Sequence, residues 1–178
     1  MPADRFIPFP KLVQDVYEIF EAIGLDSWLL QLEFWNMMWY LGNMTEDMVH
    51  KVLFDVLRDI SGNVLKQYLR GTNYFCRSGL CTFNESALEQ ATGHFCYADR
   101  LSEIKVPALM LSGSVDLIAI PLNVRYVYDR TGAQDKSIRV FGLQYGDSSD
   151  YGHDDLTFGV HAAQDVFPAI ADWVLERM

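Results

Sequence analysis

Ile104-Lys105-Val106-Pro107-Ala108-Leu109-Met110-Leu111-Ser112-Gly113-Ser114-Val115-Asp116 is the stretch on which the fold turns. Inside it, Val106 to Leu111 form a short apolar run closed by Ser112-Gly113. A run of that length bounded by turn residues predicts a buried strand, and Pro107 stands at its start, where a missing backbone donor is tolerated. Downstream, Pro121 opens a predicted helix that runs to about Arg130. Ser137-Ile138-Arg139-Val140-Phe141 reads as a second strand, and a polar loop follows from Gln144 to Asp154. Ala162, Val166, Phe167, Ile170, Trp173, Val174 and Leu175 then recur in a closing amphipathic helix. Strand, helix, strand and helix in that order predict an α/β fold with a parallel sheet covered by helices.

Upstream of about residue 100 the pattern is helical, with no convincing strand. Leu12, Val13, Val16, Ile19, Phe20 and Ile23 predict a first helix, stopped by Gly24. Asp26 or Ser27 opens a second, apolar from Trp28 to Leu41 and ended by Gly42-Asn43. Thr45 caps a third, whose apolar face carries Val49, Val52, Leu53, Val56 and Leu57. Met48 stands where a reciprocal capping box would have Glu, so the cap is a simple one. Ser61 opens a fourth, with Val64, Leu65, Tyr68 and Leu69 inward, and residues 71–99 read as loop with a short helix near 84–91.

Composition narrows the function. The chain has 178 residues, 24 acidic and 14 basic, for a net charge of −10, and half its residues are hydrophobic. That is enough apolar material for a core and the wrong charge for nucleic acid or anionic membrane surfaces. No apolar run reaches the roughly 18 residues of a membrane span. The first residues lack the apolar stretch of a signal peptide, which favours a cytoplasmic protein while leaving the compartment open. Cys76, Cys81 and Cys96 are odd in number and have no matching His/Cys pair downstream, so they predict neither a disulfide framework nor zinc. The aspartates at 147, 150, 154 and 155 do not follow EF-hand spacing, and no glycine-rich phosphate loop occurs, so no metal or organic cofactor is expected. Asn43-Met44-Thr45 and Asn84-Glu85-Ser86 match the glycosylation triplet, which matters only in a secreted chain.

Two places carry residues suited to chemistry. Asp116 follows the C-terminal end of the first predicted strand, and His153 lies in Tyr151-Gly152-His153-Asp154-Asp155, past the second. Parallel strands put both on one edge of the sheet, where ligands and reacting groups gather in open α/β folds. A carboxylate bonded to one imidazole nitrogen fixes the tautomer and supports the imidazolium, leaving the other nitrogen to take a proton from a nucleophile. The same residue types also suit a carboxylate that caps its own turn and a solvated loop histidine. His50, His94 and His161 read as surface or hydrogen-bonded structural residues.

From Ile104 onward the chain resembles the C-terminal third of an α/β-hydrolase. The features, in the family's order, are Ile104-Lys105-Val106-Pro107, Gly113-Ser114-Val115-Asp116, Pro121, Gly152-His153 and the helix from Val166 to Leu175. Gly152-His153-x-Asp155, Gly159 and Phe167-Pro168-x-Ile170-x-x-Trp173 are similar to bacterial lipase- and esterase-like members and to acid lipases. The resemblance implies Asp116 as triad acid, His153 as triad base and Asp155 as a structural residue capping the last helix. It also implies residues 1–99 as a helical cap or lid over residues 100–178, a C-terminal core segment. Trp28, Phe34, Trp35, Met37, Met38 and Trp39 in such a cap would favour a small apolar ester or acyl substrate, although residues of this kind also serve plain helix packing.

The chain departs from the family in one respect. It contains no Gly-x-Ser-x-Gly elbow, and no upstream His-Gly segment for an oxyanion hole. Ser112 and Ser114 share the acid's own turn, and Ser148 and Ser149 are not on a strand–helix elbow, so none is expected to be the nucleophile. Two core strands cannot close a doubly wound sheet, which predicts an exposed strand edge. The expected partner is an N-terminal hydrolase half or a second copy of the chain. The alternative function is a non-catalytic binding or interaction protein on a truncated or degenerate hydrolase scaffold.

Overall fold

The computed structural model describes residues 6–24, 38–61 and 98–178. Within them the chain is a mixed α/β structure with a small parallel sheet and several helices. The first part comprises strand β1 (Phe6–Ile7), helix α1 (Phe9–Ala22), a 3-10 turn at Leu41–Asn43, helix α2 (Glu46–Lys51) running on as a π-helical turn (Val52–Val56), and strand β2 (Ile60–Ser61). A 3-10 turn at Ala98–Glu103 leads to strand β3 (Ala108–Gly113), helix α3 (Pro121–Arg130), strand β4 (Lys136–Phe141), helix α4 (Asp155–Phe158) and helix α5 (Ala162–Leu175).

In the first part Thr45 caps α2 as its sequence suggested, its hydroxyl accepting from the Met48 N–H at 3.2 Å. The π-helical turn follows from a shifted bond: Leu57 N–H donates to Val52 O rather than to Leu53 O. The carbonyl freed at Leu53 accepts from the Gln14 side chain at 2.9 Å, tying α1 to that turn. Val13 and Tyr17 of α1 bury against Trp39, Val49, Val52 and Leu53, with Phe20 partly covered. Leu12, Val16 and Ile19 of the same helix, and Ile23 just past its end, are exposed. The apolar positions of α1 form two adjoining stripes one residue apart, and tertiary packing covers only one of them.

Three expectations fail here. β1 and β2 pair antiparallel, Phe6 with Ser61 and Ile7 with Ile60, where no strand was expected. Ser61 therefore ends a strand instead of opening a helix, and the rest of that predicted helix lies outside the described residues. Residues 38–40 are irregular and lead into the 3-10 turn, so the second predicted helix does not reach Leu41; its residues 25–37 also lie outside the described set. Two-residue strands are too short to carry an alternating pattern, and apolar Met38 and Trp39 suit a buried irregular segment as well as a helix.

The second part follows its reading closely. β3 and β4 pair in parallel from Ala108 with Lys136 to Gly113 with Phe141. α3 connects them and packs on both. Its C-terminal carbonyls are satisfied by the Lys136 ammonium, which donates to Tyr128 O at 2.6 Å and Thr131 O at 2.7 Å. α5 lays Ala162 and Val166 against Phe141 and Tyr151, whose rings meet edge to face at 5.9 Å. β3 begins at Ala108 rather than Val106, and it is not uniformly buried: Ala108 to Leu111 are half-buried and only Ser112 and Gly113 are fully so. β3 pairs on one edge only among the described residues. Burial thus deepens toward the C-terminal ends of the strands. Among the described residues no helix is long and apolar enough to cross a membrane.

Candidate active site

The turn after β3 closes on itself. Ser114 N–H donates to Phe141 O, Val115 N–H to Tyr151 O and Asp116 N–H to Gly113 O. Asp116 is 2 % exposed. Its Oδ1 accepts from Ile118 N–H at 2.8 Å and Ala119 N–H at 2.7 Å, a side-chain turn that aspartate forms well. The Ser112 hydroxyl donates to Ala119 O at 2.7 Å and locks the same loop. With Oδ1 committed to the backbone, Oδ2 is left for the imidazole: His153 Nδ1 lies 2.9 Å from it. Asp116 thus holds its own turn with one oxygen and meets the imidazole with the other.

The hydrogen bond to Asp116 raises the pKa of His153 above its ordinary 6.5, against the opposing effect of burial. With Nδ1–H donating to Asp116 Oδ2, Nε2 presents a lone pair. The side chain is 39 % exposed, and Nε2 has no hydrogen-bond partner among the described residues. This arrangement can take a proton at Nε2 and hold the resulting imidazolium against a buried carboxylate.

Two glycines let the histidine loop pack closely, Gly113 at the strand end and Gly152 against residues 39–40. A Cβ on Gly113 would overlap the Tyr151 carbonyl oxygen. A Cβ on Gly152 would come within 2.7 Å of Tyr40 N and 2.8 Å of Asp155 Oδ1.

Asp155 is fully buried and does not cap the last helix. It begins α4 instead, while His161 occupies the N-cap position of α5 without a side-chain cap bond. Asp155 Oδ1 accepts from Gly152 N–H at 2.8 Å and Tyr40 N–H at 3.2 Å, and Oδ2 accepts from Asn43 Nδ2 at 3.1 Å. Burial pushes its pKa up to about 6, the three donors holding it lower than burial alone would. Burial also raises the pKa of Asp154. Asn43, noticed in the sequence as a helix stop and as part of a glycosylation triplet, is fully buried with its amide engaged. Only the Gly-His-x-Asp spacing pointed to Asp155, and nothing local pointed to Asn43, whose partner is 112 residues away.

The other polar residues of this edge are committed to its framework. Ser114 donates to Asp150 Oδ1 at 2.7 Å, and Asp147 accepts from Gly142 N–H and Arg139. Tyr151 OH and Ser148 Oγ both donate to Asp165. Burial would push Asp165 up, and these bonds with that from Ser148 N–H outweigh it and hold its pKa low. His50 stacks on Phe54 at 4.4 Å, beside the first core. Among the described residues no group of three or more His, Cys, Asp or Glu side chains is placed to hold a metal ion. His94 and the three cysteines lie outside the described residues. No family model, no curated protein and no solved structure matches this chain.

Proposed function

We propose that this chain carries the acid and base of an α/β-hydrolase-type site, acting on a carboxylic ester or related acyl bond with an apolar acyl part. His153 is the general base and Asp116 the residue that orients it. The nucleophile is a serine supplied by an N-terminal hydrolase half. His153 takes the serine proton at Nε2 as the oxygen attacks the acyl carbon, then returns it to the leaving alcohol. Water repeats the cycle against the acyl-enzyme and regenerates the serine. The 2.9 Å contact between His153 Nδ1 and the buried Asp116 carboxylate, at the C-terminal edge of two parallel strands, carries this reading. The residues 1–99 cap and the substrate class rest on the family resemblance.

A binding or interaction protein on the same scaffold is the second reading. It is favoured by the lack, among the described residues, of a hydroxyl or thiol bonded to His153 Nε2. A fluorophosphonate separates the two. The native source is labelled, and this chain is captured with its associated polypeptides by an antibody against its C-terminal helix. An adduct on a captured polypeptide, lost with His153→Ala, supports the hydrolase. Capture without an adduct on any polypeptide overturns it and leaves the binding protein.

A further inference from the structure

His153 is clamped through its neighbours. Gly152 N–H, on one side, donates to Asp155 Oδ1, and Asp154 N–H, on the other, donates to Met38 O at 2.7 Å. Both bonds lead to the same short segment, because Asp155 is itself held by Tyr40 N–H and Asn43 Nδ2. Asn43 closes the circuit from its far side: its Oδ1 accepts from His161 N–H at 3.3 Å and its backbone O from Val160 N–H at 2.8 Å.

The polarity of this circuit is determined at both ends. Two backbone N–H groups face Asp155 Oδ1, so that atom must be an acceptor. The His161 N–H faces Asn43 Oδ1, so that atom must accept as well, which turns the Asn43 NH2 toward Asp155 Oδ2. An amide at 155 would meet that NH2 donor to donor, and flipping either amide only moves the mismatch to the other end.

From this we infer that Asp155 and Asn43 are positioning residues for His153, a polarity-matched latch by which the seating of residues 38–43 sets the contact between His153 and Asp116. The inference rests on the reading of His153 as the base.

The test uses the nitrogen-15-labelled 178-residue protein and the ring nitrogen signals of its histidines, with His153→Gln to assign His153. In the wild type, the Nδ1–H signal is protected from exchange and the ring titrates above 6.5. Asn43→Ala leaves every charge in place, so a fall in the His153 midpoint toward 6.5 with loss of Nδ1–H protection is the expected result. Asp155→Asn gives the same loss. The double variant Asn43→Asp with Asp155→Asn restores the polarity at constant net charge, and restores the signal and the midpoint. Should Asp155→Asn fail to fold, Asn43→Ala decides, since it keeps the bonds from Gly152 and Tyr40 to Asp155. A lowered melting temperature with an unchanged His153 signal in Asn43→Ala overturns the latch and leaves Asp155 as plain framework. A wild-type His153 without Nδ1–H protection, unaffected by Asp116→Asn, instead overturns the acid–base pair itself.

Discussion

His153 Nδ1 and Asp116 Oδ2 stand 2.9 Å apart across 37 residues of sequence. The parallel register of β3 and β4 brings Gly113 beside Phe141, and Val115 N–H then bonds Tyr151 O, so the acid's turn and the base's loop touch through backbone before their side chains meet. The carboxylate divides its work, one oxygen on the turn and one on the imidazole.

That division separates stability from chemistry at Asp116. Asp116→Asn keeps an acceptor for Ile118 N–H and Ala119 N–H and loses the support of the imidazolium. The expected result is a melting temperature within a few degrees of wild type. In the proposed hydrolase, ester hydrolysis should fall by a factor of about 10⁴, as wrong-tautomer variants of Ser-His-Asp triads do. His153→Ala should abolish it. Calorimetry together with hydrolysis of a chromogenic ester reads both, and unchanged turnover in either variant contradicts the assignment.

The pH dependence of stability has a definite sign. His153, with its pKa raised, contributes its pairing fully below 6.5 and loses it as pH rises through the folded value. Asp155 titrates at about 6 when folded, against an ordinary 3.8, so between those values the folded chain keeps a proton that the unfolded chain has released. Stability therefore falls with rising pH across that window too, and Asp154 slopes the same way. Melting temperature should decline from about pH 4 to about pH 8. His153→Gln flattens the upper part of the curve, and Asp155→Asn flattens the lower part and, through the loosened His153, the upper part as well. A wild-type curve that rises toward pH 8 would contradict both assignments.

The acid limb of hydrolysis follows His153, which must lose its proton to act as a base. Its midpoint should lie above 6.5 in the assembled enzyme and move down in Asp116→Asn. Initial rates against pH at saturating substrate measure it.

Gly113→Ala and Gly152→Ala should each destabilise by about 1–3 kcal/mol or more, because the added methyl meets backbone that cannot rotate away. Gly24→Ala is the control: nothing lies within 4 Å of its Cβ position, and the cost there is only that of a positive φ. Urea unfolding of the three variants ranks them.

Leu53 is wholly buried in the first core, so Leu53→Ala should cost about 2–5 kcal/mol, whereas Leu12→Ala, on the exposed stripe of α1, should cost under about 1 kcal/mol. The same urea series distinguishes the two faces of the helix.

The sequence was informative where structure is regular and local. α3 and α5 were legible from Pro121 and from the spacing of Ala162 to Leu175, and the parallel pairing from the alternation of strand and helix. Asp116 and His153 were legible because topology alone puts the ends of parallel strands together. Asn43 was not, because a buried amide leaves no periodic signature and its partner lies far along the chain. The inward stripe of α1 was hidden by a second, exposed one, and β1 and β2 were too short to have a pattern.

The two halves of the acid–base pair differ in how they are assembled. Asp116 is held by groups between Ser112 and Ala119, a loop that can close early at little entropic cost. His153 waits for contacts with residues 38–43 that span more than a hundred positions, among the last a folding chain can make. The acid is therefore autonomous and the base is conditional. In the proposed hydrolase, a nick or deletion at residues 38–43 would loosen the base while leaving the carboxylate in place.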